Sequence, residues 1–135
     1  MGITTTVRDI MTRDIISVET SDSVKKAIDL MVKKDIGSVI VTKNGEPVGI
    51  VTVRDIMRNV CPEELCTSGI EAGKIMRSPL ITVPADAKLG IAASLMMEKG
   101  VRRLVVEENG KAIGIVTHRD LIKGTMDTFM ALAMV

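Results

Sequence analysis

The sequence repeats itself: residues 7–57 recur as residues 72–122, shifted by 65 positions without a gap. The agreement is densest where Gly-Ile-Val-Thr-Val-Arg-Asp, beginning at Gly49, recurs as Gly-Ile-Val-Thr-His-Arg-Asp from Gly114, identical at six of seven positions. A repeat held in one register requires two copies of the same local fold, which leaves few architectures open. We therefore predict a first repeat at 7–60, a linker at 61–71, a second repeat at 72–123 and a C-terminal apolar tail at 124–135.

A length of 135 residues suits one ordinary domain. Each copy alone is marginal, because a unit of roughly 60 residues buries only about 60% of the surface of its unfolded chain. We therefore expect the two copies to pack around one shared core, related by a pseudo-twofold axis. Apolar residues make up 46% of the chain, yet Phe129 is its only aromatic residue, so the ten methionines must fill much of an aliphatic core.

The formal net charge of +1 argues against non-specific nucleic-acid binding, which depends on a strong positive field. With a single aromatic residue, the chain also lacks the stacking surface that single-stranded nucleic acids need. No apolar run is long enough to span a membrane, and the N-terminus lacks the basic and apolar regions of a signal peptide. We therefore expect a cytoplasmic protein with no membrane segment.

The linker, centred on Pro62–Gly69, carries the two cysteines of the chain, Cys61 and Cys66. Zinc prefers four ligands, and no second cysteine pair or nearby histidine completes a site. Two ordinary thiols are therefore the favoured interpretation of the pair. A disulfide is disfavoured in a reducing compartment, although it is compatible with a hyperthermophilic source.

The hydrophobic pattern predicts the order β-α-β-β-α in each copy, preceded by a short lead segment. The Asn-Gly pairs at 44–45 and 109–110 mark tight turns, because both residue types tolerate positive φ. We expect a right-handed parallel crossover between the first two strands and then an antiparallel hairpin. The predicted elements are lead segments Val7–Met11 and Gly73–Met76, first strands Ile15–Val18 and Leu80–Val83, second strands Ser38–Thr42 and Arg103–Glu107, third strands Val48–Val51 and Ile113–Val116, and final helices Val53–Val60 and His118–Lys123.

The helix between the first two strands is predicted from apolar residues at i, i+3, i+4 and i+7. We expect Ser21 and Asp86, at equivalent positions, to be its N-caps in the two copies. The helices should end near Lys34 and Gly100, and the apolar tail after Gly124 should pack either on this chain or on a second one. The predicted core faces are Val24, Ala27, Ile28 and Met31 in the first copy, and Leu89, Ala92, Ala93 and Met96 in the second.

No catalytic constellation is visible in the sequence. His118 is the only histidine, and the chain has no nucleophile elbow, phosphate-binding loop, dinucleotide fingerprint or cluster of metal ligands. The carboxylate pairs Glu63-Glu64 and Glu107-Glu108 fall in the linker and in a turn, where solvated charge is the better interpretation. We therefore predict that the chain is not an enzyme and carries no catalytic cofactor or metal.

The repeated Thr-x-x-Asp has two explanations. Thr52 with Asp55, and Thr117 with Asp120, match a capping box at the start of a helix. Capping alone does not explain why the preceding Gly-Ile-Val and the following arginine are also repeated. A helix N-terminus at a strand end also suits a phosphate, and a neighbouring carboxylate can accept hydrogen bonds from two ribose hydroxyls. The second explanation is therefore contact with a nucleotide.

Two adjacent arginines, Arg102 and Arg103, stand where a strand begins in the second copy. Successive residues of a strand point to opposite faces, so one of the two should face inward and need an anionic partner. That partner is either a carboxylate in a salt bridge or the phosphate of a ligand, which the planar guanidinium suits. The first copy has Gly37 and Ser38 at these positions, so a phosphate clamp would not be symmetric.

Val7-Arg8-Asp9-Ile10-Met11, Lys74-Ile75-Met76 and the doubled Gly49–Asp55 and Gly114–Asp120 motifs together resemble a pair of CBS domains, or Bateman module, over about residues 7–123. The resemblance implies an α/β (α+β) fold of two β-α-β-β-α repeats related by a twofold axis, and a dimer of such pairs. It also implies that AMP, ADP, ATP or S-adenosylmethionine binds in the cleft between the repeats.

By the same resemblance, the ribose-binding acid falls on Asp55 and Asp120, and its neighbouring hydroxyl on Thr52 and Thr117. The first copy departs from the pattern at Gly37-Ser38, which makes phosphate binding there doubtful. The remaining implied ligand contacts are Ile16, Ser17, Ile81 and Thr82 beside the adenine, Ile36 and Val101 after the long helix, and Arg102, Arg103, His118 and Arg119 near the phosphate.

These observations predict a regulatory module that binds an adenosyl nucleotide and signals to a regulated partner protein through a change of conformation or of oligomeric state, as a homodimer of pairs. A ligand-free structural or dimerisation module is the first alternative. A nucleic-acid-binding protein that uses Arg102 and Arg103 is the second alternative, and the near-neutral charge weighs against it.

Overall fold

The computed structural model describes residues 6–59 and 69–134, except for the side chain of Thr128. The chain divides into two compact units. The first unit comprises residues 15–80, and the second comprises residues 6–14 together with residues 81–134, within the described ranges. Cys61, Cys66, most of the predicted linker, Val60 and the final residue of the tail lie outside the described residues.

The first unit contains a three-stranded sheet in the order β1-β2-β3. Strands β1 and β2 are parallel, and β2 and β3 form an antiparallel hairpin in which Ser38 pairs with Thr52. The predicted β-α-β-β-α order is therefore confirmed. The elements are β1 (Ser17–Glu19), α1 (Val24–Lys34), β2 (Ser38–Lys43), β3 (Glu46–Thr52), α2 (Val53–Asn59) and α3 (Ala72–Ile75).

The second unit repeats this arrangement with a sheet in the order β4-β5-β6. Its first pair of strands is parallel, its second pair is antiparallel, and Arg103 pairs with Thr117. Asn44 and Asn109 turn the two hairpins with φ angles of 53° and 54°. The elements are a 3-10 helix (Val7–Asp9), β4 (Thr82–Pro84), α4 (Leu89–Lys99), β5 (Arg103–Glu108), β6 (Lys111–Thr117) and α5 (His118–Ala133).

The N-caps of the long helices differ from those predicted. Ser23, not Ser21, precedes α1, and its hydroxyl accepts a hydrogen bond from the backbone N–H of Lys26 at 3.1 Å. Lys88, not Asp86, precedes α4, and its side chain makes no capping bond. The chain makes a turn before each helix, so both helices begin two residues later than a cap at Ser21 or Asp86 would allow. The predicted C-terminal ends are confirmed.

The first strands and the tail also differ from the expectation. Strands β1 and β4 begin two residues later than predicted, because Ile15–Ile16 and Leu80–Ile81 precede the paired part of each sheet. The tail does not form a separate segment: α5 continues from His118 through Lys123 and on to Ala133. Gly124 is buried within that helix and does not end it.

Each sheet carries a hydrophobic core of its own. The predicted helix faces contribute to these cores: Ala27 and Met31 are buried in one core, and Ala92 and Met96 are buried in the other. The core of the first unit contains Val18, Val24, Ala27, Met31, Val39, Val41, Val51, Ala72 and Ile75. The core of the second unit contains Val7, Val83, Ala85, Ala92, Met96, Leu104, Val106, Val116 and Leu121.

The lead segments are exchanged between the two copies. Val7, from the lead segment of the first copy, is fully buried in the core of the second unit. Ala72 and Ile75, from the lead segment of the second copy, are buried in the core of the first unit. Each core therefore depends on residues supplied by the other repeat, which explains how copies of about 50 residues reach an adequate buried volume.

The exchange also explains the repeated Gly-Ile-Val. The backbone of Ile50 exchanges hydrogen bonds of 3.1 and 2.9 Å with Arg77, and Ile115 exchanges bonds of 2.9 and 2.8 Å with Thr12. A Cβ atom on Gly49 would lie 2.6 Å from the sulfur of Met76 and 2.9 Å from the carbonyl oxygen of Arg77. Gly114 is confined in the same way by Met11 and Thr12. Glycine is required there because the lead segment approaches the strand so closely.

Candidate functional site

The site residues predicted in each repeat meet at one edge of its sheet. In the first unit this edge is formed by the start of β1, the start of β2 and the end of β3, because Ser17 pairs with Ile40 and Ser38 with Thr52. In the second unit the starts of β4 and β5 and the end of β6 meet in the same way. Helices α2 and α5 begin at these edges, so each Thr-x-x-Asp lies beside the strand starts.

In the first unit the Thr-x-x-Asp motif is a closed capping box with a third partner. The Oδ2 atom of Asp55 accepts hydrogen bonds from the backbone N–H and the hydroxyl of Thr52, at 2.8 and 2.9 Å. The hydroxyl of Thr52 accepts in turn from the N–H of Asp55 at 3.2 Å. The Oδ1 atom of Asp55 is bonded by Nε of Arg77 at 2.9 Å. The Asp55 side chain is only 4% exposed, so both of its oxygens are engaged within the unit.

In the second unit the same motif keeps the cap and lacks the arginine. The Oδ2 atom of Asp120 accepts from the N–H of Thr117 at 2.9 Å, and the N–H of Asp120 donates to the Thr117 hydroxyl at 3.2 Å. Thr12 occupies the position that corresponds to Arg77. Within the described part of the chain, Oδ1 of Asp120 accepts no hydrogen bond, and the residue is half-buried. The two carboxylates, identical in sequence context, therefore differ in their availability to a ligand.

Some backbone N–H groups in the first turns of α2 and α5 already have hydrogen-bond partners within their unit. The N–H groups of Val53 and His118 donate to the carbonyls of Gly37 and Arg102, at 3.2 and 2.9 Å. In each helix the third N–H bonds the capping threonine. Among the described residues, the buried Nδ1 atom of His118 has no hydrogen-bond partner. A buried ring nitrogen without a partner is unusual, so a polar group from outside the unit would satisfy it.

The other predicted contacts are placed as follows. Ile16 and Ile81 are half-buried, and their carbonyls accept from the N–H groups of Ile40 and Val105, at 2.9 and 3.0 Å. Arg103 begins β5 and is half-buried, in keeping with the expectation that one arginine of the pair faces inward. Ser17 and Thr82 begin their strands and are exposed, Ile36 and Val101 are half-buried before β2 and β5, and Arg102 and Arg119 are exposed.

Arg77 is the site residue that the sequence analysis missed. The signal was available, because the offset of 65 residues aligns Arg77 with Thr12 and so exposes a difference between the copies. Its meaning depends on the exchange of the lead segments, which brings Arg77 against the strand that precedes Asp55. Repeat alignment alone does not reveal that exchange.

Away from the predicted site, hydrogen bonds perturb two ionisable groups. The backbone N–H of Glu19 donates to Asp22 at 2.8 Å and, with Lys26 nearby, holds the pKa of Asp22 below its ordinary value. The acids Glu108 and Asp86 both bind the guanidinium of Arg8 and raise its pKa further. Glu107 and Glu108 lie on β5, so the expectation of a solvated pair in a turn is wrong.

The described residues contain no group of three or more His, Cys, Asp or Glu side chains arranged to hold a metal ion. Within the same ranges, no helix is long and apolar enough to cross a membrane.

Comparison with known proteins places both repeats in one family. The family model of the CBS domain matches residues 7–61 and again residues 72–127. An uncharacterized protein of Methanopyrus kandleri is 38% identical over 119 residues, which are 87% of this chain and 61% of that protein. The chain thus spans less than two thirds of the length of this and other curated relatives.

Solved structures agree with this assignment. A CBS-domain protein of Burkholderia ambifaria has 32% sequence identity and a TM-score of 0.84, covering 90% of this chain and 94% of its own. A hexameric CBS-CP12 protein of bloom-forming cyanobacteria has 26% identity and a TM-score of 0.79, covering 87% of this chain and 69% of its own.

Proposed function

Because this chain belongs to the CBS-domain family and carries a tandem pair of such domains, we propose that it senses an adenosyl ligand at Asp120. CBS-domain pairs are in general regulatory, ligand-binding modules, and adenosyl compounds are their usual ligands. AMP, ADP, ATP and S-adenosylmethionine share the adenosine that Asp120 would recognise. We propose no catalytic step and no catalytic cofactor.

One observation carries the proposal: Asp120 keeps one carboxylate oxygen available after it has capped its helix. Its Oδ2 atom is used by Thr117, while Oδ1 accepts no hydrogen bond from the described residues. A carboxylate can accept from both hydroxyls of a ribose, and hydrogen bonds to a charged group are stronger than neutral ones. The same side chain would then stabilise α5 and hold the sugar.

The basic residues around Asp120 support binding of the phosphate end of such a ligand in the second repeat. Arg102 and Arg119 are exposed near the start of α5, and Arg103 begins the neighbouring strand. The unpartnered Nδ1 atom of His118 adds a polar atom at the first residue of that helix. A planar guanidinium suits a phosphate, so this repeat is the better candidate for AMP, ADP or ATP.

The first repeat is the weaker candidate. Arg77 already bonds the oxygen of Asp55 that corresponds to the open oxygen of Asp120. Gly37 and Ser38 also stand where the second repeat has its two arginines. A ligand at Asp55 would have to displace an ion pair whose carboxylate is 4% exposed. We therefore propose one adenosyl ligand per chain, bound through the second repeat.

A sensor must bind its ligand with different affinities in two states, and a partner must distinguish those states. We propose that the regulated partner is another protein, or another part of a longer chain. The curated relatives extend beyond the region they share with this sequence, which supports either arrangement.

We also propose that the pairs form homodimers through α5. Ile122, Met126 and Phe129 are 60%, 51% and 61% exposed on this helix. With Ala133 they recur at intervals of four, three and four residues, which is the spacing of a helix–helix seam. The hexameric CBS-CP12 relative is an example of a CBS protein that oligomerises.

The same exposed face favours one alternative, a dimerisation module without a ligand. That function would need α5 and would leave Asp120 with a capping role alone. It predicts a melting temperature that rises with protein concentration and does not respond to any adenine compound.

A melting-temperature screen with AMP, ADP, ATP and S-adenosylmethionine tests the proposal. A ligand present at 100 times its dissociation constant adds about 2.7 kcal/mol of stability, which produces a clear upward shift. Asp120→Ala should weaken binding by roughly 1–3 kcal/mol, because it removes charge-assisted hydrogen bonds.

Asp55→Ala is the matched control, since it changes the equivalent residue of the other repeat. It should lower the melting temperature without ligand, because it removes a capping box and leaves Arg77 without its carboxylate, yet it should keep the ligand-induced shift. The proposal fails if no adenosyl compound shifts the wild-type protein, or if Asp120→Ala retains the full shift.

A further inference from the structure

The first unit has a pocket at the edge of its sheet opposite to Thr52 and Asp55. It lies where β1 ends and the β2–β3 hairpin turns, beside α3, and has a volume of about 290 Å³. None of the residues proposed to bind the adenosyl ligand lines this pocket. The lining residues relevant to its chemistry are Thr20, Lys43, Val48, Glu71, Lys74 and Met76.

The polar groups of the pocket have unused hydrogen-bonding capacity. Within the described residues, the ammonium groups of Lys43 and Lys74 and the hydroxyl of Thr20 make no hydrogen bond or ion pair. Glu71 also lines the pocket, and its side chain does not cap α3. Val48 and Met76 supply the apolar part of the wall. Two cations against one anion leave a net positive lining.

In the second unit the corresponding place is occupied by a side chain, and the residues that correspond to the two lysines are acidic. There the guanidinium of Arg8 binds the carboxylates of Asp86, at 3.0 Å, and Glu108. The offset of 65 residues aligns Arg8 with Gly73 and Glu108 with Lys43. The first unit therefore lacks the side chain that occupies this place in the second unit, and it has a cation where the second unit has the anionic partner.

Gly73 keeps the pocket open because it has no side chain, and a side chain there would be tightly packed against Thr20. A Cβ atom there would lie 3.0 Å from Cβ of Thr20 and 3.1 Å from its carbonyl oxygen. In the second unit the residue that corresponds to Thr20 is Ala85, a smaller side chain that lacks the γ atoms of threonine. Both Thr20 and Gly73 therefore differ from their counterparts in the second unit. The pocket beside them remains open and has a basic lining, and we call it the basic recess.

We propose that this recess binds the phosphate group of a small molecule. Lys43 and Lys74 supply positive charge, the Thr20 hydroxyl supplies a neutral donor, and Val48 and Met76 contact the apolar part of the ligand. The site is independent of the adenosyl site, because it lies in the first unit and uses none of the residues proposed to bind the adenosyl ligand in the second unit. Glu71 weakens the binding of a dianion.

Titration of the full chain with inorganic phosphate, followed by amide chemical shifts at constant ionic strength, tests this proposal. We expect saturable shifts at residues 20, 43, 73 and 74, and sodium chloride at the same ionic strength should leave those amides in place. Lys43→Glu should weaken phosphate binding about fivefold or more, and Glu71→Gln should strengthen it. Lys33→Glu, on the exposed end of α1, is the control and should leave binding unchanged.

A combined variant reproduces the filled arrangement of the second unit. Thr20→Ala, Lys43→Glu and Gly73→Arg together should abolish phosphate binding in the first unit, because the introduced arginine would pair with the introduced acid. Asp120→Ala should bind phosphate at the recess as the wild type does, which separates this proposal from the adenosyl site. Shifts that follow ionic strength alone, or unchanged binding in Lys43→Glu and in the combined variant, would overturn it.

Discussion

At the scale of the residue, two aspartates in the same motif have different surroundings. Asp55 and Asp120 each cap a helix through the preceding threonine, as the Thr-x-x-Asp spacing predicts. Arg77 distinguishes them, because it bonds the second oxygen of Asp55 and has Thr12 as its counterpart. Capping is a local interaction that sequence spacing encodes. The ion pair depends on chain segments 22 residues apart, which spacing does not reveal.

The close approach at Gly49 gives a prediction at the same scale. Gly49→Ala should destabilise the protein by about 1–3 kcal/mol, because its Cβ would crowd the Met76 sulfur and the Arg77 carbonyl, and the carbonyl cannot rotate away. Urea denaturation measures the change. Gly90→Ala is the control: it lies in α4 with no atom within 4 Å of its Cβ position, so it should raise stability by up to about 1 kcal/mol. Equal effects in the two variants would contradict this explanation.

At the scale of the element, the sequence predicts the strands, the helices and their order well, and it predicts poorly where the lead segments pack. Periodicity reports which face of α1 or α4 is buried, and Asn-Gly reports the hairpin turns, because both are properties of neighbouring residues. The exchange of Val7–Asp9 and Ala72–Ile75 between the cores is a tertiary event. A short apolar segment fits either of two similar sheets by composition alone.

The exchange predicts which sheet each lead segment supports. Val7→Ala should cost about 2 kcal/mol and lower the hydrogen-exchange protection of β5 and β6, since Val7 is fully buried against that sheet. Ile75→Ala should cost about 3 kcal/mol and lower the protection of β2 and β3. Native-state amide exchange measures both patterns. The reverse assignment, with Val7→Ala affecting β2 and β3 first, would show that the segments are not exchanged.

At the scale of the whole molecule, α5 connects the candidate site to an exposed apolar face. The helix begins at His118, after its N-cap Thr117, and runs 16 residues to Ala133. The sequence pattern predicts a short helix that ends at Lys123 and an apolar tail after Gly124. The buried Gly124 instead lies inside a continuous helix. A ligand at the first turn of α5 and a partner along its length would therefore act on the same element.

Homodimerisation through this helix has a direct test. Met126→Lys combined with Met130→Lys should convert a dimer to a monomer, because both exposed side chains lie on the apolar face of α5 and lysine resists burial. Size-exclusion chromatography with light scattering measures the mass. Met57→Lys, at a methionine of α2 that is even more exposed, is the control and should leave the mass unchanged. A double variant that keeps the wild-type mass would show that the dimer interface lies elsewhere.

Isothermal titration calorimetry of the wild-type protein and Asp120→Ala with adenosyl ligands tests the central claim most directly. The account predicts saturable binding of at least one of AMP, ADP, ATP or S-adenosylmethionine, at one ligand per chain, and an affinity that falls about tenfold or more in Asp120→Ala. Wild-type protein that binds none of the four, or a variant that binds as tightly as the wild type, would contradict it.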